Sequence, residues 1–349
     1  MTLSKNRKNI LICPLDWGLG HATRCIPIIQ KLAETHAVII ACSTRLQSFY
    51  RIETPHVPTV LLEGKTITYP SNGQFFKHFL KQAPTLLYSV YKEHQTLKKV
   101  VKTYSIDQII SDNRYGLYHP KIPSVLITHQ ISPQAFGRCS NWLVQKLSLF
   151  FLKKHTEVWV PDFEGHLLSG ALSEGFNKIR FIGILSRFCL PAETVELKPQ
   201  ILVLISGCEP QRTLFENIII EQLKNTTLNA IIVRGLPEFS TPLKNTGNLS
   251  FFNHLSTGDL QNLILESQYI ICRSGYSTLM DLWQLRRKAL LVPTPGQPEQ
   301  EFLAAHFTEK YHFPTQIQSE IDIPHFLKSQ AVYFNPPETS QPLPVNDYL

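Results

Sequence analysis

Near its start the chain runs Ile10-Leu11-Ile12-Cys13-Pro14-Leu15, breaks at Asp16-Trp17-Gly18-Leu19-Gly20-His21, and passes straight into a helical pattern. In that pattern Ala22, Cys25, Ile26, Ile29, Leu32 and Ala33 recur at helical spacing, and Pro27 is read as lying in the first turn, where proline is tolerated. An unbroken apolar run of this length reads as a strand buried on both faces, the kind found in parallel sheets. The same design returns at Ile201-Leu202-Val203-Leu204-Ile205, which ends in Ser206-Gly207 ahead of a second helical pattern. Around these two units lie further short apolar runs at 37–42, 57–62, 108–111, 124–128, 158–162, 178–183, 229–233, 249–252, 269–272 and 289–292. Helical patterns separate many of them, the longest from about 74 to 104. Strand alternating with helix predicts an α/β protein with doubly wound parallel sheets.

A length of 349 residues suits two such domains. The expected division is an N-terminal Rossmann-like domain over 1–165, a linker region over 166–199 and a second domain over 200–325. The linker includes a polar, proline-bounded stretch at 190–199; a C-terminal extension is expected over 326–349, of which 335–349, with prolines at 336, 337, 342 and 344, reads as an extended or disordered tail. An apolar content of 43% is enough for two cores. No apolar run approaches the roughly 18–20 residues of a membrane span. The basic start, MTLSKNRKN, leads only into residues 10–15, so no secretory leader is expected. Seven cysteines, odd in number, scattered and without a Cys-x-x-Cys pair, argue against disulfides or zinc and for a reducing cytoplasm.

A net charge of +7 favours an anionic partner. The bases look dispersed along the chain, which argues against nucleic acid and for phosphorylated substrates. Segments 74–81 and 142–154 mix aromatics with bases. They are read as helices with a core-facing stripe and a solvated basic face. Peripheral contact with the inner face of an anionic membrane is the alternative.

Ligands of doubly wound sheets bind at the carboxyl ends of the strands. Three polar strand ends qualify in the first half: the loop with Gly18 and Gly20, the pair Asp112-Asn113, and the pair His129-Gln130. Asp112 could simply cap a turn and His129 could be structural, but three such ends on one edge point to a cleft. In the second half a strand ends in Arg273-Ser274-Gly275 and opens a helix whose N-terminus suits a phosphate. Asp281 follows within about two turns, where a carboxylate can accept both ribose hydroxyls. The next strand ends in a proline-bounded loop carrying Gln300 and Glu301, groups suited to sugar hydroxyls. Phosphate, ribose and sugar groups in this order outline a nucleotide-sugar site.

The run Arg-Ser-Gly-x-x-Thr-x-x-acid, then strand, proline and Gln-Glu loop, resembles the donor-binding half of GT-B glycosyltransferases, nearest to glycosyltransferase family 28, the lipid II-forming N-acetylglucosaminyltransferases. The opening Gly-Leu-Gly-His resembles that family's first glycine-rich loop. Extended through Arg24, it also resembles a nucleotide-sugar hydrolase of the pseudaminic-acid pathway. The resemblance spans both halves and implies two Rossmann-like domains facing across a cleft. It implies Arg273, Ser274 and Gly275 along the nucleotide diphosphate, Asp281 on the ribose, and Gln300 and Glu301 on the donor sugar. Ser206 and Gly207 would form the phosphate loop of the second domain, which departs from the family's fuller Gly-Gly-Ser-x-Gly. His21 would be the acceptor-side base, with Asp16 a second candidate, and Gly18 and Gly20 would let a donor sugar approach His21.

The implied reaction is hexosyl transfer from a nucleotide sugar, by family habit a UDP-sugar, to the hydroxyl of a glycan, lipid-linked or small-molecule acceptor. A role in cell-envelope glycans would follow. No Asp-x-Asp motif is present, which fits transfer without a metal, and no cofactor is expected beyond the donor substrate. A monomer is expected. A nucleotide-sugar hydrolase using the same donor site is the main alternative, ahead of a 2-epimerase and a non-catalytic binding protein.

Overall fold

The computed structural model describes residues 7–64, 75–132, 138–193, 195–224, 226–241, 243–328 and 333–337. The strands β1 (Asn9–Pro14), β2 (Ala37–Cys42), β3 (Thr59–Leu61), β4 (Gln108–Asp112), β5 (Ser124–Ile127), β6 (Glu157–Val160) and β7 (Ile179–Phe181) form one sheet. Its order is β3-β2-β1-β4-β5-β6-β7, and every pairing is parallel. A second parallel sheet has the order β10-β9-β8-β11-β12. It is built from β8 (Lys198–Leu204), β9 (Asn229–Val233), β10 (Leu249–Phe252), β11 (Ser267–Cys272) and β12 (Leu290–Leu291). The apolar runs are strands because both faces are covered: Ile10, Leu11, Ile12 and Cys13 have no exposed surface.

In both sheets the chain starts in the middle, winds outward, then returns to the other side of its first strand. The crevices where the winding reverses lie between β1 and β4 and between β8 and β11, the positions at which such sheets bind ligands. The helices are α1 (Leu19–Ala33), α2 (Thr44–Glu53), α3 (Phe75–Tyr104), α4 (Arg138–Leu152), α5 (Gln211–Leu223), α6 (Thr257–Glu266), α7 (Tyr276–Gln284), α8 (Pro298–Tyr311) and α9 (Ile323–Phe326). One hydrophobic cluster runs through both domains. Ile26, Phe49, Trp159 and Leu185 join Tyr276, Met280, Trp283 and Phe307 in it, so the domains share apolar surface where α1 meets α7.

Several expectations need correction. β7 pairs with β6, so the first sheet extends beyond residue 165 and its last strand falls inside the supposed linker region. Pro27 is not in the first turn, because α1 begins at Leu19 and carries the proline in its interior. Its ring removes the N–H that would have met the Thr23 carbonyl. In the C-terminal extension, just ahead of the segment read as a tail, the Phe334 N–H donates to the Arg286 carbonyl at 3.0 Å, and the Phe334 ring joins Trp283 and Tyr311 in the core. On α4, Trp142, Leu147 and Phe150 are 58%, 45% and 53% exposed, so they are not a core-facing stripe. The core side of that helix is Ser148, Leu149 and Leu152. Residue 74 and the side chains of 75–80 lie outside the described residues.

Candidate active site

His21 is the third residue of α1, three residues after Gly18, which turns the chain with a φ of 142°. Only glycine adopts that angle readily. Gly20 answers a different need. A Cβ there would stand 3.0 Å from the Ser277 hydroxyl, which donates to the Gly20 carbonyl at 2.8 Å. Gly20 thus lets α1 approach α7. Both helices begin without a side-chain cap, and Gly275, the residue before α7, faces open space.

β4 delivers Asp112 to this point. Its carboxylate is fully buried and takes contacts on both oxygens. His21 Nδ1 lies 3.3 Å from Oδ1, Arg24 Nε donates to Oδ2 at 2.7 Å, and Arg24 Nη2 donates to Oδ1. Burial opposes the charge, but Arg24 and His21 hold the carboxyl well below its usual range. Arg24 then reaches on, its Nη1 3.4 Å from His129 Nδ1. His129 Nε2 lies 2.8 Å from Glu299 Oε1 of the second domain, and Gln130 donates to the other oxygen of Glu299. Burial keeps His129 below its ordinary value, against the pull of Glu299. A neutral ring accepting from Arg24 at Nδ1 and donating from Nε2 to Glu299 fits both contacts. The Tyr276 ring lies flat on it, with centroids 3.8 Å apart and planes 2° apart.

The predicted residues therefore separate. His21, Asp112, His129 and Gln130 come together in one network. Asp16 is turned away from His21: it accepts from the Ser43 hydroxyl and from Arg45 at 3.1 Å, and Arg45 reaches Glu238 of the second domain at 3.3 Å. Asn113 stands just past β4 with a φ of 56°, its Oδ1 buried without a partner. In the second domain, Arg273 does not line an anion site. It has no exposed surface, donates to the carbonyls of Val292, Pro293 and Gln211 and to the Gln318 side chain, and lies 4.0 Å over the Phe215 ring. A guanidinium with these partners braces the loop after β12 against α5. Ser274 is buried too and donates to the Gln300 carbonyl at 2.8 Å.

α7 starts after Gly275 with no side-chain cap, and a Cβ on Gly275 would meet nothing within 4 Å. Asp281 is partly buried and accepts from the Ser186 hydroxyl at 2.6 Å. Burial pushes its carboxyl up to about 6, with Arg187 and Ser186 pulling the other way. Gln300 and Glu301 close their own loop, accepting from the Thr294 and Gly296 N–H groups at 2.9 and 2.8 Å. The neighbouring Glu299 is the acid that faces across the domains. Gly207 also borders open space, with a φ of 107°, beside Ser206 at the end of β8. The start of the following helix is already occupied, since Glu209 accepts from the Thr213 N–H at 3.2 Å.

Sequence reasoning left Arg24, Glu299 and Tyr276 out of the site. Arg24 was visible as the last residue of the Gly-x-Gly-His-x-x-Arg run. Nothing local marks Glu299 or Tyr276, whose partners lie in the other domain.

No family model matches the chain. An uncharacterized glycosyltransferase of Methanosarcina mazei is 24% identical over 330 residues, covering 86% of this chain and 83% of that protein. Among solved structures, the spinosyn rhamnosyltransferase SpnG complexed with thymidine diphosphate superposes with a TM-score of 0.59 at 14% identity, covering 89% of this chain and 88% of that one. MurG of Acinetobacter baumannii gives 0.51 at 13% identity, covering 92% and 88%. Two parallel sheets whose switch points face each other, and relatives of these names, lead to one conclusion: this chain has the GT-B fold of the glycosyltransferases.

Proposed function

We propose that this protein transfers a sugar from a nucleoside-diphosphate donor to an acceptor hydroxyl, with His21 as general base. The observation that carries the reading is the contact of His21, in the first turn of α1, with a buried carboxylate. Its Nδ1 lies 3.3 Å from the buried Asp112 carboxylate, and the neighbouring Gly20 carbonyl accepts from Ser277 of α7. A carboxylate on Nδ1 keeps the proton there and leaves Nε2 as the lone pair that takes the acceptor proton. The acceptor oxygen then bonds to the anomeric carbon as its bond to the diphosphate breaks. The leaving group departs with the electron pair, and its charge is met by the N–H groups that open α7. In this reading Asp281 accepts the ribose hydroxyls and Glu299 with Gln300 borders the donor sugar. Charge stabilisation by helix-end N–H groups calls for no metal. The glycosyltransferase names of its sequence relatives, and the diphosphate carried by SpnG in a similar fold, support the reading.

The test is His21→Ala assayed by product analysis with a panel of nucleotide sugars. Turnover should fall by roughly 100-fold or more, the scale of a lost general base, while nucleoside-diphosphate affinity stays within about twofold. Full activity in the variant removes His21 from the chemistry. Free sugar released at the same rate with and without acceptor assigns hydrolysis instead of transfer.

A further inference from the structure

The positive charge of this protein is concentrated in one place. α3 carries six lysines and one acid, and α4 with the Lys153-Lys154 pair that follows it adds four bases and no acid. These segments hold ten bases against one acid, while the rest of the chain holds 24 bases against 26 acids. The dispersion read along the sequence is therefore misleading: the net charge of +7 comes from two helices. Their one acid, Glu93, is buried and paired with Arg114 at 3.2 Å, so it offsets nothing at the surface. Every described lysine on the two segments is exposed.

The two helices share a face of the first sheet. The connections β3 to β4 and β5 to β6 cross it in the same direction, and right-handed crossovers place their helices on one side. His94 of α3 and His155 beyond α4 both meet the Tyr118 ring, at 4.7 and 5.9 Å. Large side chains stand outward among the lysines: Tyr88, Tyr91, Trp142 and Phe150 are 56%, 59%, 58% and 53% exposed. Three times an aromatic residue is followed four places later by a lysine whose ammonium lies over its ring. The pairs are Tyr88 with Lys92 at 4.9 Å, Trp142 with Lys146 at 4.1 Å and Phe150 with Lys154 at 5.0 Å.

We infer that this face docks on an anionic membrane surface. Aromatic rings rest at headgroup level, where one end is apolar and the other wet, and lysines beside them reach the lipid phosphates. A nucleic acid would satisfy the lysines but offers no apolar layer for Leu87 and Leu147, which are 50% and 45% exposed on the same helices. No helix among the described residues is long and apolar enough to cross a bilayer, so the contact is peripheral. This inference stands on charge and exposure alone and does not rest on the transferase reading.

The full chain should co-sediment with vesicles of phosphatidylcholine containing about one-third phosphatidylserine, and not with phosphatidylcholine alone. Each lysine near such a surface contributes on the order of a fivefold gain in partitioning. Lys146→Gln with Lys154→Gln should therefore lower binding by roughly tenfold or more, and raised salt should do likewise. Trp142→Ala with Phe150→Ala should lower binding even at low salt, with thermal melts showing that each variant remains folded. Equal binding to both kinds of vesicle, no binding, or wild-type binding by both double variants overturns the inference. So does tighter binding to a DNA duplex than to the anionic vesicles at the same ionic strength.

Discussion

Asp112 shows how much one buried carboxylate can organise. Alone in the core it would be neutral, but Arg24 locks both its oxygens and fixes the charge, and His21 then reads that charge through Nδ1. Asp281 is the opposite case, an acid that burial pushes up to about 6. The folded protein holds a proton that the unfolded chain releases near 3.8, so this group lowers stability as pH rises from there through 6. Ligand binding has the reverse dependence, since only the carboxylate accepts two hydroxyls. Affinity for a nucleotide sugar, whose phosphates do not titrate in this range, should rise roughly fivefold between about pH 5 and 7 when followed by calorimetry, and the Asp281→Asn variant should lose that rise. An unchanged pH slope in the variant would separate Asp281 from the ribose.

At the scale of elements, the site is an arrangement of helix starts. α1 and α7 both follow buried strands at a switch point, both lack a side-chain cap, and the contact of Gly20 with Ser277 holds them together. An uncapped helix start leaves N–H groups and the positive end of the macrodipole available to an anion, which is the use proposed for α7. Gly275 has ordinary extended angles, φ −73° and ψ 141°, and a Cβ there meets nothing, so a side chain fits without strain. Gly275→Asp should cap α7 and leave the melting temperature unchanged or raise stability by roughly 0.3–1 kcal/mol. It should weaken nucleoside-diphosphate binding by about tenfold or more, because a carboxylate then occupies the phosphate position. Retained affinity would move the phosphates to another helix start.

Across the whole molecule, the domains are joined by polar contacts around the shared apolar cluster. Glu53 at the end of α2 accepts from Arg187 of the connecting segment at 2.9 Å and from the Thr257 hydroxyl of the second domain. His254 Nε2 stands 3.3 Å from the same carboxylate. Burial works against the charge on Glu53, but His254, Arg187 and Thr257 hold it below its ordinary value. A depressed carboxyl stabilises above its unfolded pKa of 4.5 and loses that contribution as pH falls through the folded value. Glu53→Ala leaves Arg187 without its carboxylate and should cost about 3 kcal/mol. It should also enlarge the radius of gyration at neutral pH, read by small-angle scattering as the domains part. Unchanged melting and scattering would show that the apolar cluster alone holds them.

The sequence by itself determined the two sheets. The apolar runs within β1 and β8 read as buried strands, and the helical periodicity that follows each small-residue turn marks strand–turn–helix units, so the fold class was legible from local pattern. It also placed His21, Asp112, His129 and Gln130 at strand ends or helix starts facing one cleft. The partners of those residues were decided only in three dimensions. Arg273 looked like a phosphate ligand from its place in a motif, yet its guanidinium is turned inward to carbonyls contributed by two other segments. Glu299, which no local pattern marks, bridges to His129, 170 positions away in sequence. Local periodicity fixes which side of an element is buried. Which charge meets which is set by the packing of one domain on the other, and no pattern within a single segment carries that information.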